Sequence, residues 1–115
     1  MLMNSSFTER AFQLWEFKVS HGSLLIRSPK APGIPNNIDV VCKGVEYLAA
    51  PRHIRGLDLG QATTEEIKNL SNLLGKEVPP SRVRVISSEG RRFPIVAVSF
   101  RISENENDIF DSPFV

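Results

Sequence analysis

Hydrophobic and polar positions alternate with a period of two along most of the chain, and one segment alone shifts to the 3.6 period of a helix. Trp15, Phe17 and Val19 alternate with Glu16 and Lys18, and Leu24 and Ile26 alternate with Leu25 and Arg27. This double run predicts a hairpin over residues 11–28. Its turn is His21-Gly22, since glycine takes positive φ freely and histidine more readily than most residues. In that register Val19 lies opposite Leu24 and Phe17 opposite Ile26, while Glu16 meets Arg27 on the exposed side. Trp15 falls with the core residues, its indole N–H reaching an edge.

Three prolines, a glycine and two asparagines within residues 28–37 can hold neither ladder nor helix, so this stretch is a loop. Strand character returns at residues 38–42 and 45–48. Lys43-Gly44 between them is either a tight turn or a bulge in one long strand. A further short strand, residues 54–59, is bracketed by Pro51 and Gly60. The helix starts at Thr63, where Glu66 three residues on completes a capping box and Glu65 adds charge favourable to the N-terminus. Ile67, Leu70 and Leu74 form its apolar stripe, Gly75 stops it, and Pro79-Pro80 forbid continuation. The last hairpin turns at Glu89-Gly90 and sets Val83 opposite Val96 and Val85 opposite Pro94. Val98, Phe100 and Ile102 continue that face, Arg82 and Arg84 point the other way, and Pro94 fits an edge position.

The expected fold is therefore α+β: a mainly antiparallel β-sheet or small open barrel with one covering α-helix at about 63–75. Residues 1–102 make a single compact domain with a frayed N-terminus, and 103–115 an acidic C-terminal tail.

Composition narrows the setting. The 115 residues are 41% hydrophobic and 23% charged, a globular balance. No apolar run approaches the ~20 residues of a membrane helix. Residues 1–6 lack the basic start and apolar core of a secretory signal. One cysteine, Cys42, allows no internal disulfide and no multi-cysteine zinc site, which fits a reducing compartment, and the expected localisation is cytoplasmic. The formal net charge of +1 hides an uneven distribution. All fourteen Lys and Arg stand in residues 1–102 against nine Asp and Glu, giving +5; Glu104, Glu106, Asp108 and Asp111 give the tail −4.

Arg82, Arg84, Arg91, Arg92 and Arg101 all belong to the last hairpin, where they form a candidate interaction face for an anionic partner. The tail mixes its acids with Ile109, Phe110 and Phe114, the composition of a docking peptide, and the expectation is that it contacts the basic hairpin. Catalytic signals are weak. His21 and His53 have no third ligand at metal spacing, and catalysis would need a deep pocket holding one of them beside a carboxylate; none is expected. Cys42, alternating with Ile38 and Val40, reads as a buried small hydrophobe. Residues 56–60 lack phosphate-loop spacing, Glu65-Glu66 are explained by helix capping, and the tail acids miss the calcium-loop pattern. No catalytic residue, cofactor site or metal site is assigned.

The functional expectation is a non-catalytic protein-interaction module, an adaptor, inhibitor or immunity-like protein. It acts by occupying another protein's surface or by self-association through an exposed strand edge. The alternative is single-stranded nucleic-acid binding on a small β-barrel through the arginine-rich hairpin. A third reading is a small-molecule-handling enzyme. No membrane partner is expected.

Overall fold

A chain that alternates almost throughout must close its ladders somewhere, and here the sheet curls until its two ends meet. The computed structural model describes residues 6–114. Eight strands run in chain order: β1 (Ser6–Lys18), β2 (Ser23–Ser28), β3 (Asn37–Lys43), β4 (Tyr47–Leu48), β5 (His53–Gly60), β6 (Val83–Ser88), β7 (Arg91–Val96) and β8 (Ser99–Asn105). The helix α1 (Thr64–Leu74) lies between β5 and β6. The spatial order is β4-β7-β6-β5-β1-β2-β3-β8, with every pairing antiparallel. The α+β class with one covering helix thus stands as the alternation implies.

The ends of that order share a seam. β3 pairs β8 from Asn37–Asn105 to Lys43–Ser99, and β4 pairs β7 at Tyr47–Val96 and Leu48–Ile95. Val98 N donates to Lys43 O at 2.9 Å and Glu46 N to Val96 O at 2.8 Å across the gap. Residues 37–48 are therefore one bent strand lying along another, residues 95–105. Of the two readings of Lys43-Gly44, the interruption in a long strand is the one observed, with Gly44 at φ 63° and Val98 packed against it. Beyond the seam β8 diverges from β6, so its outer edge is unpaired and the barrel is open on that side.

Two hydrophobic clusters follow. The interior holds Phe7, Phe12, Leu24, Ile26, Val40, Cys42, Leu57, Ile86 and Ile95. Leu70, with Ile67 and Leu74 beside it, packs onto Val78, Val83, Val85 and Val96 outside the sheet. The last hairpin thus buries both faces, one inward and one under the helix, and takes the expected register, Val83 to Val96 and Val85 to Pro94. Pro94 stands just past the end of β4, where its carbonyl accepts from Ala49 N. Val98 leaves that face because strand pairing is interrupted at residues 97–98, between β7 and β8. Phe100 and Ile102 pair with β3 instead.

The first hairpin differs from its predicted register. Residues 19–21 form a 3-10 turn that closes on Gly22 at φ 58°, so the connection is longer than two residues. Phe17 then faces Leu24, Leu14 faces Ile26 and Gln13 faces Arg27, with a bulge at Trp15. The longer turn moves the pairing by two residues, which is why Val19 lies outside the ladder and Glu16 faces Leu25 rather than Arg27, and the extra residue at Trp15 leaves the core face and lies over Arg27. Trp15 is half-buried and stands outside both core clusters.

Candidate functional site

The five hairpin arginines are distributed over several surfaces. Arg92 lies on the helix side and grips Glu66 with both ends of its fork, Nε to Oε2 at 2.7 Å and Nη2 to Oε1 at 2.8 Å. Those bonds, with help from the Thr63 cap, hold the Glu66 carboxyl down at about 2. Arg84 sits opposite Ile95 on the inward face, donates Nη1 to Val83 O, and stacks its guanidinium 5.3 Å from the Phe100 ring centre. Arg91, opposite Ser88, is on the same face as Arg84 but four residues away along the strand, roughly 13 Å. Arg101 projects from β8 beside its free edge, and Arg82 lies exposed in the 3-10 turn before β6. Arg84 and Arg101 border one cleft from opposite faces of β8, Arg84 over Phe100 and Arg101 beside Val41, where it also lines the space under the tail, and the other three lie apart.

The acidic tail lies back on the sheet, across β1, β2 and β3. Its anchor is Arg27, 1% exposed on the outer face of β2. Arg27 Nε and Nη2 reach the two oxygens of buried Asp39 at 2.7 and 2.9 Å, and Nη1 donates to the carbonyls of Ile109 and Asp111 at 2.8 and 2.9 Å. Trp15 covers the guanidinium, its ring centre 5.5 Å away. Asn37 Nδ2 adds bonds to Asn105 Oδ1 and Asn107 O. Lys30 reaches Glu106 O, Ser112 reaches Glu16, and Lys18 reaches Phe114 O. Phe114 packs under Lys43, Ile109 is half-buried, and Phe110 projects outward.

The tail is expected against the basic hairpin; it bonds to Arg27, Lys18 and Lys30 and packs on Lys43, and of the hairpin arginines Arg101 lines the space beneath it. Arg27 gave one available signal: directly across the β2–β3 loop from Asp39, it interrupts an otherwise apolar run as Asp39 does. It stands on the outward face as its alternation implies, and the tail and Trp15 folded over that face bury it.

A third feature gathers at the seam end of the barrel. His21 O and Gly22 O accept from Gly44 N and Val45 N, which ties the first hairpin's tip to the seam. There Phe17, Val19 and Val98 are 51%, 84% and 57% exposed. Below them opens an apolar groove of about 400 Å³, walled by Leu14, Trp15, Phe17, Leu24, Val45, Tyr47 and Leu48. Glu16 and Glu46 complete its lining, and Val98 also borders a second cleft beside Arg84 and Phe100.

The remaining chemistry is sparse. His53 shares an open cleft of about 450 Å³ with Glu89, Arg55 and Arg91, although no cleft joining a histidine to a carboxylate is expected from sequence. No hydrogen bond among the described residues joins His53 to Glu89. Cys42 is buried, and desolvation pushes its thiol up to about 12, leaving it a packing residue. Among the described residues no three metal-ligating side chains cluster, and no helix is long and apolar enough to cross a membrane. Compared with protein-family models, curated proteins and solved structures, the chain matches none.

Proposed function

We propose that this protein is a non-catalytic interaction module that works by occupying the surface of a protein partner through the seam end of its barrel. The observation that carries the reading is the group Phe17, Val19 and Val98, exposed together on a hydrogen-bonded scaffold above an apolar groove. Solvent exposure of one large apolar side chain is ordinary; three around a concave apolar surface are the usual composition of an interface centre. Their backbone is fixed by the Gly22–Val45 and Lys43–Val98 bonds, so association orders few new groups. Glu16 and Glu46 line the groove and Glu46 pairs with Lys76, so charges of both signs surround the apolar centre, and the partner this end fits is one that presents apolar side chains.

Affinity capture from native lysate, with nuclease present, tests the reading. One discrete protein retained by the wild-type chain, and lost on Phe17→Ser with Val19→Ser, is the expected result. Equal retention by wild type and variant, or recovery of nucleic acid alone, contradicts it. Nuclease-sensitive and salt-sensitive material would transfer the role to the arginines and to nucleic acid.

A further inference from the structure

The body of the protein holds residues 106–114 chiefly by their main chain. The carbonyls of Glu106, Asn107 and Phe114 accept from Lys30, Asn37 and Lys18 at 2.7, 2.8 and 3.0 Å, and those of Ile109 and Asp111 share Arg27 Nη1. Among the described residues no carboxylate of this segment pairs with a cation of the body, and Glu106, Asp108 and Asp111 are exposed. Every peptide carries such carbonyls, so these donors recognise an extended backbone whatever its side chains. Side chains enter at few points: Ser112 bonds to Glu16, Ile109 is half-buried, and the Phe114 ring lies 5.1 Å from the Lys43 ammonium.

The body, not the tail, aims the central donors. Asp39 clamps Arg27 at Nε and Nη2 and Trp15 covers the guanidinium, which leaves Nη1 directed at the tail. Asn37 is oriented by Lys30 N, which donates to its Oδ1 at 2.8 Å and turns its Nδ2 toward Asn107 O. The tail also leaves its bed partly unfilled, with a space of about 160 Å³ beneath it bordered by Arg27, Asp39, Arg101 and Ser103. We propose that the outer face of β1, β2 and β3 is a peptide-binding groove, that residues 106–114 are its resident occupant, and that an extended acidic segment of a partner protein displaces them. Lys18, Lys30 and Lys43 flank the groove, none ion-paired with a carboxylate among the described residues, and they set the sign of the partner's charge. The positions of Ile109 and Phe114 set an apolar spacing of five residues. The donors used here are not those of the seam-end surface, so either reading stands without the other.

The probe is a fluorescein-labelled peptide of residues 106–115, titrated against the full-length chain and followed by anisotropy. In wild type the tethered tail competes at an effective concentration of about millimolar, so the free peptide binds only near that range. The full-length variant Ile109→Gly, Phe114→Gly weakens the resident and leaves the body unaltered; it should bind the peptide at least about tenfold more tightly. In that background Lys18→Met and Lys30→Met should each weaken binding about fivefold, the loss of one charge-assisted contact, whereas Lys68→Met on α1 should leave it unchanged. A second measurement needs no tail variant: in wild type, millimolar peptide should move the amide NMR signals of Ile109 and Asp111 toward their free-peptide positions. Equal affinity for wild type and the weakened tail, no saturable binding to either, or losses at Lys18 and Lys30 no larger than at Lys68 would overturn the proposal. Wild-type tail signals that stay in place at saturating peptide would do the same. A stable dimer of wild-type chains, exchanging tails, would give the groove to a second copy and overturn the assignment to a partner.

Discussion

Gly56 and Gly75 hold nearly the same backbone angle, φ 72° and 70°, but their surroundings separate them. A Cβ on Gly56 would lie 2.8 Å from Thr8 O, at the irregularity between β1 and β5, whereas Gly75 has open space. Gly75→Ala should therefore cost about 1 kcal/mol, the left-handed penalty alone. Gly56→Ala should cost more than about 2 kcal/mol, read as a lower urea midpoint. Arg27 presents a larger case. Arg27→Met would leave buried Asp39 with Asn105 Nδ2 at 3.1 Å as its side-chain donor and would release the Ile109 and Asp111 carbonyls. A loss of about 3–5 kcal/mol is expected, much of it recovered in the double variant Arg27→Met, Asp39→Leu. Urea unfolding of the single and double variants measures both. At this scale sequence reasoning succeeded with Cys42, whose small size and apolar neighbours point inward. It failed with Arg27, because the tail that covers this outward-facing side chain arrives from more than eighty residues away.

Among the elements, α1 was legible in full because its signals are local. Thr63 accepts from Glu66 N, Glu66 Oε1 accepts from Thr63 N, and Gly75 closes the other end at positive φ. The tertiary use of the same Glu66 by Arg92 was not legible, since it depends on how the helix lies against β7. That contact has a pH signature. The folded pKa of Glu66, about 2, lies below the ordinary carboxylate value, so the pair's stabilisation is present above that ordinary value and is lost as pH falls toward 2. Wild type should lose more stability than Glu66→Gln between about pH 5 and pH 2, with the two curves parallel above it. Parallel curves across the whole range would contradict this. The first hairpin shows the opposite limit. Its alternation revealed a pair of strands, but the 3-10 turn and the Trp15 bulge each shift register without disturbing composition. Every side-chain pairing drawn across it therefore moved.

For the whole molecule, the open barrel follows from strand-rich patterning with one helix, while the seam does not, because it joins residues 37–48 to 95–105 far apart in the chain. The arginine cluster dispersed for a related reason. The last hairpin buries two faces rather than one, which sends Arg84 inward and Arg92 under the helix edge. The tail is part of the same architecture: deleting residues 106–115 should raise amide hydrogen exchange in β2 and β3, with α1 unaffected, because Arg27 and Asn37 lose their carbonyl acceptors there.

The seam-end surface was invisible in sequence because the longer turn was: Phe17 shares the face of buried Leu24 but stands two pairs nearer the end of the ladder than its alternation predicts, and Val19 falls in the 3-10 turn beyond it. Its role is tested most directly by placing a photo-crosslinking amino acid at position 17 of the full-length protein in its native cells, with position 73 on the exposed side of α1 as control. The account predicts one protein adduct from position 17, mapped on the partner to an apolar patch, and none from position 73. No adduct from position 17, or the same adducts from both positions, would contradict it.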